Sequence, residues 1–138
     1  MIGPEPTKRF ADTATMLIRK LLDCPKFVAG DGTQLRELLH PDKQDIALRY
    51  SLAHAVVPVG QVSYPHALAT SEVYYILAGQ GEMHIDDESR TVEPGDAVYI
   101  PPQARQYIRN TGAEPLVFIC LVDPAWRQED ETVFDPVQ

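Results

Sequence analysis

Apolar residues change their spacing once along this chain, near Pro25. Before it, Phe10, Ala14, Leu17, Ile18, Leu21 and Leu22 recur at intervals suited to one helical face. The spacing predicts an amphipathic helix from about Phe10 to Leu22, with Thr7 or Asp12 able to cap it and Pro25 to stop it. Its polar face mixes Asp12 with Arg19 and Lys20, so it reads as a packing helix or dimer arm rather than a lipid-binding one.

After Pro25 the texture turns to short β-rich runs separated by Gly, Pro and Asp, the pattern of an all-β sandwich or barrel. The expected strands are Lys26 to Ala29, Thr33 to Leu39, Arg49 to Val57, Gln61 to His66, Glu72 to Leu77, Gly81 to Ile85, Ser89 to Val92, Ala97 to Ile100, Arg105 to Arg109 and Leu116 to Val122. Asp31-Gly32, Asp86-Asp87 and Thr111-Gly112 are turn signals between them, because such pairs tolerate positive φ. The runs VYYIL and LVFICLV are apolar at every position, so those strands are expected to be covered on both faces. The organisation this implies is a helical extension over residues 1–25, a β-barrel over 26–126 and an acidic tail over 127–138, with Trp126 and Phe134 as anchors against the barrel.

Composition narrows the function classes. The chain has 138 residues, 44% of them hydrophobic and 23% charged, which suits a single soluble domain. A formal net charge of −8 repels phosphate backbones and anionic lipid, so nucleic acid and membrane are not expected partners. The N-terminal stretch MIGPEPTKRF lacks a signal-peptide core and no apolar run reaches the length of a membrane span; a cytoplasmic location is expected. Cys24 and Cys120 each stand alone in their segments, which predicts two reduced, buried thiols rather than a zinc site or a disulfide framework.

Two segments carry the chemistry. GQVSYPHALATSEVYYILAG, from Gly60 to Gly79, resembles the first motif of the cupin family, with Gly60, His66, Glu72 and Gly79 in register. GDAVYIPPQARQYIRN, from Gly95 to Asn110, resembles the second, with Gly95, Pro101 and Asn110 in register. Seven of the ten specified positions agree at fixed spacing. More loosely, Phe27 to Trp126 is similar to the small single-domain cupins labelled mannose-6-phosphate-isomerase-like. The resemblance implies a double-stranded β-helix barrel, commonly a homodimer associating through N-terminal strands, here Phe27 to Leu39. It also implies one divalent metal ion (Mn, Fe, Ni or Zn) inside the barrel, with His66, Glu72 and Gln106 at the ligand positions.

Departures from the motifs cut into that ligand set. The second histidine of the first motif is Leu68, which has no lone pair, and the histidine of the second motif is Gln106, a weaker neutral donor. Gln103 replaces a glycine, so its turn lacks easy positive φ. A hydrogen-bonded His66–Glu72 pair without an ion therefore stands beside the metal reading. His54 is a candidate substitute ligand; His84 and His40 are read as solvated.

Strand alternation puts Glu72, Tyr74 and Ile76 on one face. A carboxylate there needs a cation or hydrogen-bond donors, and a phenol beside it can move protons, which makes Glu72 and Tyr74 the catalytic candidates. The other tyrosines read as barrel filling. Leu68, Ile76 and Ile108 are expected to form the pocket wall, and Arg49 and Arg105 to clamp an anionic substrate at the mouth. Three functions follow: a metal-dependent enzyme of isomerase, lyase or dioxygenase type acting on a small polar metabolite; a barrel that binds a small molecule or sugar without turnover; and a metal-free epimerase-like enzyme using His66 and Tyr74.

Overall fold

A computed structural model describes residues 16–137. Among the described residues eleven strands form two antiparallel sheets. The first contains β1 (Lys26–Val28), β2 (Gln34–Leu39), β3 (Ser51–Val57), β5 (Ser71–Ala78), β8 (Ala97–Ile100) and β10 (Leu116–Asp123), in the order β1-β2-β3-β10-β5-β8. The second contains β4 (His66–Leu68), β6 (Gly81–Ile85), β7 (Glu88–Val92), β9 (Gln106–Asn110) and β11 (Glu131–Val133), in the order β11-β4-β9-β6-β7. The two sheets close into the double-stranded β-helix that the resemblance implied.

Alternation decides what faces inward. On β3, Ser51, Ala53, Ala55 and Val57 are buried, and on β10 Leu116, Phe118, Cys120 and Val122, while the residues between them are only partly covered. Ile76, Ile100, Ile108, Leu116 and Phe118 are the fully buried apolar centre, each contributing about 1.5–3 kcal/mol by leaving water. Gly79 ends β5 at φ +85°, and a Cβ there would sit 2.5 Å from the Pro115 carbonyl. Glycine is therefore required by both backbone conformation and close approach.

Several expectations are corrected. The helix from Phe10 to Leu22 falls partly on residues 1–15, which lie outside the described residues; of the rest, 16–20 have no regular structure and Leu21–Asp23 form one 3₁₀ turn. Leu22 is 82% exposed and Met16 and Ile18 are also exposed, so these apolar positions have no partner face to stabilise a helix. Gln61 to His66 is not a strand: only Val62 bridges, to Arg109, and pairing resumes at His66. Pro65 cannot donate to a ladder. Tyr64, Tyr75 and Tyr99 are exposed on the outside and only Tyr74 fills the core; the outward face of β5 and β8 has no cover within the described chain. Gln103 takes φ +70° although it is not glycine. No helix among the described residues is long and apolar enough to cross a membrane.

Candidate functional site

A cavity of about 550 Å³ opens between the two sheets at the end where β4, β5, β10 and β11 meet the β1–β2 turn. Its wall carries His66 and Leu68 from β4, Glu72 and Tyr74 from β5, Cys120 from β10 and Glu131 from β11. Asp31 enters from the turn, where Gly32 takes φ +87° and the Asp31 Oδ1 accepts hydrogen bonds from the Thr33 N–H and hydroxyl.

Register brings these side chains together. His66 on β4 is paired with Gln106 on β9, and Gln106 spans to the other sheet. Its Nε2 donates to Glu72 Oε1 at 2.8 Å, and its Oε1 accepts the Tyr74 hydroxyl at 3.0 Å. Gln106 therefore stands between the phenol and the carboxylate, and Tyr74 gives its proton to the amide rather than to Glu72. A tilted ring contact with Phe118, centroids 4.4 Å apart, holds the phenol in place. His66 is buried, with Nδ1 on the Tyr64 carbonyl at 2.9 Å and Nε2 turned toward Asp31 Oδ2 at 3.6 Å. That bond orients the ring and leaves Nε2 as the atom that can exchange a proton with the cavity.

Burial pushes the Glu72 carboxyl up to about 7; nearby His66 and the Gln106 hydrogen bond oppose this, and Asp31 and Glu131 add to it. Burial likewise raises Glu131, with His66 opposing and Asp31 adding. The Tyr74 phenol and the Cys120 thiol are pushed up by burial and then by the charge of Glu72, so both stay neutral. Cys24 and Cys120 are free and buried.

These residues do not fit a metal ion. Both ends of the Gln106 amide are committed to protein partners, Leu68 offers no donor, and His66 Nε2 faces Asp31. Among the described residues no three His, Cys, Asp or Glu side chains are placed to hold an ion. The ligand positions His66, Glu72 and Gln106 are thus neighbours, but Gln106 serves as a hydrogen-bonding bridge. The alternative, a direct His66–Glu72 hydrogen bond, is not formed either: the hydrogen bond to Glu72 comes from Gln106.

Other candidates fall elsewhere. His54 sits between inward-facing Ala53 and Ala55 and so takes the outer face, where burial and then Arg36 lower its pKa; it cannot supply the nitrogen that Leu68 lacks. Ile76 and Ile108 are sealed in the core away from the cavity, whereas Leu68 does line it. Arg49 pairs with Asp123 at 2.8 Å and Arg105 lies over the Phe134 ring at 4.3 Å. Neither lines the cavity, so no anion clamp forms. His40, expected to be solvated, is buried on the cavity wall with Nε2 2.8 Å from the Trp126 carbonyl. His84 stacks on Tyr107 and contacts Glu82.

Sequence reasoning missed Asp31 and Glu131. Asp31 was legible only as a turn residue, and Glu131 lies in the segment read as an acidic tail. That segment instead contributes β11, whose Glu131 and Val133 pair with Leu68 and His66.

Comparison with known proteins agrees with this architecture. Residues 53–122 match the family described as Cupin domain. An uncharacterized protein of Methanocaldococcus jannaschii is 41% identical over 110 residues, covering 79% of this chain and 87% of the relative. Glucose-6-phosphate isomerase of Thermococcus gammatolerans is 40% identical over 62 residues, 41% of this chain but only 33% of the enzyme. Among solved structures, a Cupin 2 conserved barrel domain protein from Salinispora arenicola superposes with a TM-score of 0.69 at 22% identity, covering 83% of this chain and 92% of that one. At that identity the likeness is one of fold.

Proposed function

We propose, from the premise that this chain belongs to the cupin domain family, that its barrel takes a small polar metabolite and isomerises it by proton transfer. The observation that carries this reading is the juxtaposition of His66 and Glu72 on the wall of one cavity, with Glu72 held by Gln106. A carboxyl near 7 is suited to accept and return a proton at neutral pH. In this reading Glu72 takes the proton from a carbon beside a carbonyl, and protonated His66 gives the Nε2 proton to the carbonyl oxygen. The steps reverse at the adjacent carbon and restore both groups. Asp31, 3.6 Å from Nε2, stabilises the imidazolium. Tyr74 is a positioning residue that orients the Gln106 amide. The partial similarity to a glucose-6-phosphate isomerase supports the reaction class, over a third of that enzyme's length.

The test is exchange of carbon-bound hydrogen in D₂O for a panel of hydroxylated aldehydes and ketones, followed by proton NMR. Wild type is expected to exchange at least one of them, and Glu72→Gln and His66→Gln each to slow it by about 10²-fold or more. Binding without exchange would support the non-catalytic barrel instead.

The same reading takes the chain to be a cytoplasmic homodimer. The β1 edge with exposed Phe27 and Val28 supports pairing through Phe27 to Leu39. A monomer in light scattering at micromolar concentration would remove that part.

A further inference from the structure

Between β10 and β11 the chain forms a strap along the cavity. Trp126, Arg127, Gln128 and Glu129 from this strap line the wall, yet from Pro124 to Asp130 only Ala125 is buried. So little apolar area cannot hold a segment down, and its polar anchors decide whether it stays. The Ala125 and Trp126 N–H groups donate to the Arg49 carbonyl and Ser51 Oγ, each at 2.9 Å. The Asp130 carbonyl accepts the Ala69 N–H at 2.9 Å, and the Trp126 side chain hydrogen-bonds Glu131. Two further anchors run to one turn after β2: the Trp126 carbonyl lies 2.8 Å from His40 Nε2, and Arg127 pairs with Asp42 at 3.0 Å.

His40 is 4% exposed, and both of its ring nitrogens are engaged. Nδ1 accepts the Asp42 N–H at 3.0 Å, so the ring proton sits on Nε2 and is donated to the Trp126 carbonyl. A second proton has to go on Nδ1, where it meets the Asp42 N–H head on and abolishes that bond. The carboxylate beside Nδ1 is that of Asp42 itself, with Oδ2 at 4.0 Å, and its Oδ1 already serves Arg127. To reach it the ring must turn, and turning carries Nε2 off the Trp126 carbonyl. Protonation therefore strains both anchors that tie the strap to the turn.

We propose that His40 is an acid-released clasp: as the neutral imidazole it holds the strap from Pro124 to Asp130 against the cavity, and on protonation it lets that wall open. The role concerns access to the cavity, so it stands whether or not the barrel turns its ligand over. The other titratable groups of the wall are Glu37 on β2, Asp42 and Lys43 on the turn, Arg127 and Glu129 on the strap, Glu131 on β11, and Asp31, His66 and Glu72. Glu37 pairs with Lys43 at 2.6 Å. Glu131 touches Trp126 directly, so its titration is the one to separate from that of His40.

Trp126 is the sole tryptophan of the chain, so acrylamide quenching of its fluorescence reads the strap. Amide hydrogen exchange, corrected for the intrinsic rate, reads the Ala125 and Trp126 N–H groups. From pH 8 to 5.5 the wild type is expected to gain about twofold or more in quenching and about tenfold or more in exchange at those amides, the scale of one lost hydrogen bond. The amides of β3 and β10 should stay protected. His40→Gln keeps an N–H for the Trp126 carbonyl and has no proton to gain, so it should stay closed across the range. His40→Leu should be open already at pH 8, and Glu131→Gln should keep the acid transition. The proposal is overturned by a wild type that does not change, by a His40→Gln protein that opens on acidification as wild type does, or by loss of the transition in Glu131→Gln. Equal loss of protection in β3 and β10 also overturns it. Should His40→Leu fail to fold, the comparison of wild type with His40→Gln still decides.

Discussion

Gln106 Nε2 donates to Glu72 Oε1 across 2.8 Å, so one hydrogen bond ties β9 of the five-stranded sheet to β5 of the six-stranded one. The same amide accepts from Tyr74, and its orientation is set by having an acceptor on one side and a donor on the other. A residue that occupies a motif's histidine position has here become the bridge between an acid and a phenol.

Removing that bridge should raise the Glu72 midpoint, because the Gln106 hydrogen bond favours the charged form. Gln106→Leu leaves the Glu72 oxygen and the Tyr74 hydroxyl without partners, a loss of about 1–3 kcal/mol for each buried orphan. Carboxyl carbon NMR and urea unfolding read the two effects. A midpoint that does not move, or moves down, would contradict the bond's role.

Stability should depend on pH through the same carboxyl. Glu72 rises from 4.5 to about 7 on folding, so between those values the folded state binds more protons than the unfolded one. Stability due to this group is fully present below pH 4.5, declines as pH rises through that window, and is gone above the folded value. The span is on the order of 3 kcal/mol. Glu72→Gln should flatten this slope and be the more stable protein at pH 8, as judged by urea midpoints from pH 4 to 8. Equal slopes in both proteins would count against it.

What could be read from the sequence follows from where the information lies. The inward face of β5 was legible because alternation is local, and the placement of Glu72 and Tyr74 came with it, while Leu68 was placed by the motif spacing. The facing of His54 stayed open in the sequence because the run SLAHAVV fixes no phase by itself: the register of β3 against β10, with Ala53 opposite Cys120, turns the small residues inward and His54 out. Asp31 and Glu131 reach the site through pairings with no local signal, a tight turn and a three-residue strand with a single apolar residue. Of the helix expected from Phe10 to Leu22, the described residues 16–20 have no regular structure, since period alone cannot supply a surface to pack on.

Tyr74→Phe separates positioning from catalysis. The ring keeps its place against Phe118, and only the bond to Gln106 is lost, so stability should fall by about 0.5–1.5 kcal/mol. If Tyr74 acts through Gln106, the variant should retain a substantial fraction of hydrogen exchange while the pH midpoint of that exchange shifts with Glu72. Loss of exchange as severe as in Glu72→Gln would instead make the phenol the proton donor.

Leu68→His probes the motif alignment itself. Leu68 is buried and lines the cavity two residues from His66 on β4. An imidazole there would add a neutral nitrogen donor beside His66 and Glu72, giving three ligands where two now stand without a third. Gln106 still competes for one Glu72 oxygen, so the gain should be clear but limited, about tenfold or more in affinity for Mn²⁺ or Ni²⁺ over wild type. Adding Glu72→Gln to that variant should remove most of the gain by deleting the only charged ligand. Titration calorimetry on chelator-stripped protein gives both comparisons. If Leu68→His leaves metal affinity where it was, position 68 does not present its side chain to the same point as His66 and Glu72, and the roles assigned through that motif lose their basis.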